Sequence, residues 1–90
     1  AKYRVPKIAA KVDISENTQQ AAVDILRRAE ELKKTAGKDP MGLAAAALYI
    51  ACVMNDEKRT QKMIADAAGV TEVTIRNRYK GLKEALHLEL

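Results

Sequence analysis

The stretch Pro40–Met54, PMGLAAAALYIACVM, decides the fold. From Leu43 onward it holds twelve consecutive apolar residues and no charge. A helix that is apolar all round offers no face to water, so protein or lipid must wrap it. A membrane span needs roughly 18 or more such residues, and this run is shorter. It is longer than an ordinary buried strand, and the successive alanines Ala44 to Ala47 favour helix. Asp39 stands where a cap belongs, and Pro40 suits the first helical position, where no N–H is needed. The small side chains of Ala44 to Ala47 and Ala51 let neighbouring helices approach closely. The run therefore predicts the central helix of a small all-α domain.

On its N-terminal side, Val5, Ile8, Ala9 and Val12 repeat at helical spacing and predict a short amphipathic helix. Arg4, Lys7 and Lys11 share the opposite face, which reads first as solvated surface and second as phosphate contact. Ser15 is a good N-cap for a second helix. Its apolar stripe is Ala21, Ala22, Ile25, Leu26, Ala29, Leu32 and Ala36, with Asp24, Arg27, Glu31 and Lys34 opposite. This helix is expected from about Glu16 to Ala36, with Gly37 as the stop. Gly37-Lys38 is not a phosphate loop, because Leu32 replaces the first glycine and Asp39 the Ser or Thr.

Beyond the central helix lies the polar turn Asn55-Asp56-Glu57. Thr60 can cap a short fourth helix with Met63, Ile64, Ala67 and Ala68, ended by Gly69. Val70 and Thr71 lead directly into a fifth, with Thr71 as cap and Glu72 near the positive helix end. No stretch alternates at period two, so no sheet is expected.

Ninety residues suit one domain, here 1–90, with a core near the lower end of comfortable size. There is no Trp or Phe and only three Tyr, so aliphatic and alanine packing must carry stability. The single cysteine, Cys52, sits inside the apolar run and reads as a small core side chain. One cysteine makes no internal disulfide or zinc site, which fits a reduced, intracellular setting. No signal peptide or lipidation motif is recognisable.

The net charge is +4 and the pI about 9.3, which suits an anionic partner without establishing one. Positive charge collects at the two ends of the chain. Residues 1–12 carry Lys2, Arg4, Lys7 and Lys11 with no acid, and residues 57–90 hold seven basic against five acidic groups.

Two short helices around a tight glycine turn, over about 60–86, match a helix-turn-helix. Ala65, Gly69, Val70 and Ile75 occupy the offsets that pattern needs. At about 100° per residue, Ile75, Tyr79, Leu82 and Leu86 lie within roughly 40° of one line and point inward. Val73 then lies roughly 160° away, with Arg76, Asn77 and Lys80 beside it. An apolar residue among polar ones near the start of a recognition helix can contact a thymine methyl, while an arginine reaches guanine O6 and N7. Val73, Arg76 and Asn77 are thus the candidate base readers, and Lys62, Thr71, Thr74 and Lys80 the candidate phosphate contacts. Gly81 is unusual in a helix interior, where it costs up to about 1 kcal/mol. It reads as a tolerated surface glycine or the onset of fraying.

Catalytic chemistry is poorly represented. His87 is the sole histidine and stands without a patterned Cys, Asp or second His. No nucleophile–base pair, nucleotide loop or metal spacing occurs, so neither an enzyme nor a cofactor or metal is expected.

The segments GKDPMGLAAAALYIA and KRTQKMIADAAGVTEVTIRNRYK closely resemble the second cyclin-like repeat of archaeal transcription factor B, the counterpart of eukaryotic factor IIB. The similarity runs from the basic first helix to about Ala85. It implies a five-helix cyclin-like fold whose last two helices form the helix-turn-helix. In that family the motif reads the promoter element upstream of the TATA box in the major groove. The family's valine and arginine readers match Val73 and Arg76. The resemblance further implies TATA-binding protein as partner and RNA polymerase through the full-length factor. A monomer off the membrane is expected, in the archaeal cytoplasm (or a nucleus, if the source is eukaryotic). It covers neither the family's zinc ribbon nor its first repeat, and many relatives carry a stronger helix former at Gly81.

Two other readings compete. A cyclin-type protein-binding module would favour a larger apolar patch than the Val73, Arg76, Asn77 and Lys80 face. A helix-turn-helix repressor would normally dimerise, and no separate dimerisation segment is visible.

Overall fold

Four of the helices start on a side chain that caps the backbone three residues on. In the computed structural model, which describes residues 2–90, the elements are a 3₁₀ turn (Lys2–Arg4), α1 (Val5–Val12), α2 (Glu16–Glu31), α3 (Pro40–Met54), α4 (Gln61–Ala68) and α5 (Glu72–Ala85). Ser15 accepts from Thr18 N–H, Asp39 from Gly42, Thr60 from Met63 and Thr71 from Thr74, at 3.0–3.3 Å. Each bond satisfies a backbone donor with no partner inside the helix. These are the four caps expected from the sequence.

The ends are also set by the backbone. After each helix one residue turns left-handed: Asp13 (φ 54°), Lys33 (57°), Asp56 (55°), Gly69 (69°) and His87 (54°). The chain then reverses, and the next N–H reaches back to a carbonyl in the last turn: Ile14 to Ala9, Lys34 to Ala29, Glu57 to Cys52, Val70 to Ala65 and Leu88 to Lys83. This is the Schellman type of helix end.

The second helix is shorter than expected. It stops at Glu31, not Ala36, because Lys33 takes the left-handed conformation four residues before Gly37. Leu32 is 52% exposed and Ala36 is exposed, so neither extends the apolar stripe. Gly37 (φ 75°) serves a turn within the α2–α3 connection instead.

α3 is the hub. It packs most extensively on α2 and α5 and also meets α1 and α4. Leu43, Ala44 to Ala47, Leu48, Ile50, Ala51 and Cys52 are all buried. Burial pushes the Cys52 thiol up to about 11, with the nearby Glu57 charge adding to it. The wrapping ends before the apolar run does: Val53 and Met54 are exposed in the last turn, just before the chain reverses at Asp56. Around α3 close Val5, Ile8, Ala22, Ile25, Leu26, Ile64, Ile75 and Leu82, giving a body of 29 × 23 × 22 Å.

One polar network ties the α1–α2 corner to the α3–α4 loop. The Glu57 carboxylate accepts from Ser15 N–H (2.8 Å), Ser15 Oγ (2.7 Å) and Thr18 Oγ1. Thr18 is fully buried and also accepts from Asn55 Nδ2 at 3.1 Å. Arg59 donates to the carbonyls of Val12 (2.7 Å) and Asp13 (2.8 Å), covering acceptors at the end of α1. Among the described residues no buried side-chain N or O lacks a partner.

Candidate nucleic-acid interface

Placing α5 begins with α4. Ile64, Ala65 and Ala68 bury one face of α4, and left-handed Gly69 turns the chain sharply enough for Thr71 to cap α5. Ile75 and Leu82 then bury the inner side of α5. Tyr79 is half-buried, its ring edge-on to Tyr49 of α3 at 5.6 Å. Inner and outer faces are therefore those expected from the 100° spacing.

The outer face carries Val73, 54% exposed, with Arg76, Asn77 and Lys80, all exposed. None of the three polar side chains bonds to protein among the described residues, so the face is free to meet a ligand. α5 continues unbroken through Gly81 to Ala85, without early fraying.

The phosphate candidates are more scattered. Lys62 lies on α4, paired with Asp66 at 3.4 Å where both are exposed, an arrangement that salt and solvent weaken. Lys80 is exposed on the outer face, three residues and one turn beyond Asn77. Thr71 is committed to the cap, and its hydroxyl also bonds that of Thr74 at 3.1 Å. Thr74 is half-buried, turned towards the start of α3.

Two residues that sequence reasoning passed over help to position α5. A Cβ added to Gly42 would sit 2.9 Å from Thr74 Cγ2 and 3.7 Å from Arg78 Cγ, so the bare backbone of α3 admits α5 at this point. Arg78 is half-buried on the flank of α5, roughly 140° around the helix from Val73. The angle was legible in the sequence, but the approach of α3 to that flank was not.

Among the described residues no group of three or more His, Cys, Asp and Glu is placed to hold a metal ion. No described helix is long and apolar enough to cross a membrane.

Comparison with known proteins identifies the family. The family model for the transcription factor TFIIB repeat matches residues 1–85. The chain is 55% identical to the transcription initiation factor IIB of Sulfurisphaera tokodaii and 56% identical to that of Methanopyrus kandleri, in each case over 96% of this chain and 28% of the relative. With that of Archaeoglobus fulgidus the identity is 49%, over 96% of this chain and 26% of the relative. The chain thus spans roughly a quarter of the length of these curated relatives. All three are transcription initiation factors. With an all-helical fold, a helix-turn-helix in place and a match over nearly its whole length, this chain belongs to the transcription factor TFIIB repeat family.

Proposed function

We propose that residues 1–90 form one cyclin-like repeat, the second of two in a longer initiation factor, and that it reads promoter DNA upstream of the TATA box. α5 lies in the major groove. Val73 meets a thymine methyl, Arg76 makes a bidentate contact to guanine, and Asn77 reaches a base edge. Lys62 and Lys80 hold the phosphates and fix the register, and Thr71 and Thr74 join them at the start of α5 by exchanging their mutual hydroxyl bond for a phosphate oxygen. The repeat acts as a monomer beside TATA-binding protein, and the full-length factor brings RNA polymerase. Its place is the archaeal cytoplasm.

The observation that carries this reading is the outer face of α5, where a half-exposed valine stands among an arginine, an asparagine and a lysine that the fold does not use. The names of the relatives support it.

The test is a ratio of affinities, for the cognate upstream element over a scrambled one, each beside an identical TATA box with TATA-binding protein present. Arg76→Ala should leave stability within about 0.5 kcal/mol, as at an ordinary surface site. It should cost about 1–3 kcal/mol on the cognate element and less on the scrambled one. Val73→Ala should act in the same direction, more weakly. An unchanged ratio in folded Arg76→Ala would remove α5 as the reader and favour a cyclin-type protein-binding module.

A further inference from the structure

Beside α5 a cleft of about 490 Å³ opens against the α2–α3 connection. Lys33, Lys34 and Lys38 border it from the connection, and Arg78, Gly81 and Glu84 from α5. Four cations thus meet one carboxylate. Among the described residues the ion pairs are Arg27–Asp24 and Lys62–Asp66, so none of the four is paired. Like charges gathered round a concavity repel one another and raise the local concentration of anions.

The early end of α2 creates this arrangement. Had the helix run on to Ala36, Lys33 and Lys34 would lie on its surface at helical spacing. The left-handed turn at Lys33 instead sends the chain back, and both lysines border the cleft.

Gly81 adds to the shape of the cleft. Glycine weakens a helix interior, and packing does not demand it here: no neighbouring atom lies within 4 Å of where a Cβ would stand. What the missing side chain provides is space, since Gly81 lines the cleft.

The location selects the occupant. Asn77 of the outer face also lines the cleft, so the two surfaces are continuous. Gly81, Ala85 and Arg78 lie roughly 80–140° around α5 from Val73. A helix seated in the major groove has sugar–phosphate backbone along its flanks, and contacts there set position without reading sequence.

We propose that this cleft binds the sugar–phosphate backbone of duplex DNA, with Lys33, Lys34, Lys38 and Arg78 neutralising phosphates and Gly81 leaving the cleft open. This rests on the reading of α5 as a groove-binding helix and adds a contact surface outside the helix-turn-helix.

The test uses a labelled duplex of arbitrary sequence and anisotropy titrations across a salt series. Lys34→Gln/Lys38→Gln should shrink the slope of log K against log salt by about two units. Gly81→Leu keeps every charge but fills the cleft; it should weaken binding at each salt concentration. Because leucine is the better helix former, its melting temperature should not fall. Both variants should keep the parent's ratio of cognate to scrambled affinity. Unchanged slope and affinity in both variants would overturn the proposal while leaving the Arg76 ratio intact. A reduced slope in the lysine variant together with an Arg76→Ala ratio equal to the parent's would uphold the cleft and sink the base-reading role. If the variants lose binding of a polyglutamate peptide but bind DNA as the parent does, the cleft serves an acidic protein segment and the proposal fails.

Discussion

Gly42 of α3 and Thr74 of α5 meet so closely that a methyl group on the glycine would stand 2.9 Å from the threonine's Cγ2. Threonine is stiff about χ1 and cannot easily move that methyl aside. The seat of α5, and with it the direction of Val73 and Arg76, depends on a backbone without a side chain.

Gly42→Ala should therefore destabilise by about 1–3 kcal/mol through overpacking. In a Thr74→Ser background the obstructing methyl is gone. There the same change should be neutral or stabilising by up to about 1 kcal/mol, since alanine is the better helix former. Denaturant unfolding of the four proteins of this cycle measures the coupling. Equal effects of Gly42→Ala in both backgrounds would show that the contact does not seat α5.

Leu48 is fully buried at the centre of α3. Leu48→Ala should cost about 2–5 kcal/mol from lost transfer energy and the cavity left behind. A denaturation curve within about 0.5 kcal/mol of the parent's would contradict a hub in which α1, α2, α4 and α5 all lean on α3.

Glu57 links stability to pH. Hydrogen bonds from the Thr18 hydroxyl, then from the Ser15 hydroxyl and the Ser15 N–H, hold its carboxyl below the ordinary value of 4.5. The folded state thus binds this proton less readily than the unfolded one. The contribution is fully present above the unfolded value and is lost as pH falls through the lowered folded one. Parent and Glu57→Gln should differ most in melting temperature near neutral pH and converge in acid. A difference that stays constant with pH would mean that the charge on Glu57 is unimportant to the network.

Cys52 should be inert in the native protein. It is buried, with its thiol pushed up to about 11, so almost no thiolate exists at neutral pH. Alkylation by iodoacetamide should be very slow until denaturant is added, and then rapid. Fast labelling of the folded chain would require α3 to open locally.

Local chemistry was the legible part of this chain. Ser15, Asp39, Thr60 and Thr71 each act on a donor three residues away, so their caps were readable from a short window. The two sides of α5 followed from the 100° spacing, because Ile75 and Val73 need only a helix to be separated. What escaped involved distant partners. Thr18 carries no signal of its own in the sequence, and it is buried because Glu57, 39 residues on, comes to meet it. Arg78 and Gly42 acquire meaning only when α3 and α5 are brought together. The end of α2 departs from its sequence signal for a different reason. Gly37 is the residue best suited to a left-handed turn, yet Lys33 adopts one first, with Lys34 bonded back to Ala29.

The left-handed helix ends bear on how this domain could be engineered. Asp13, Asp56 and His87 belong to residue types that tolerate the conformation, whereas a lysine is poorly suited to it. Glycine at position 33 would relieve about 1 kcal/mol or more of steric cost. Thermostability design that scores backbone comfort alone would make that replacement first. It would also delete a cation from the cleft beside α5. At Lys33 the chain thus carries a conflict between a relaxed backbone and a charged surface, and a stabilised variant would have to be screened on DNA as well as by melting.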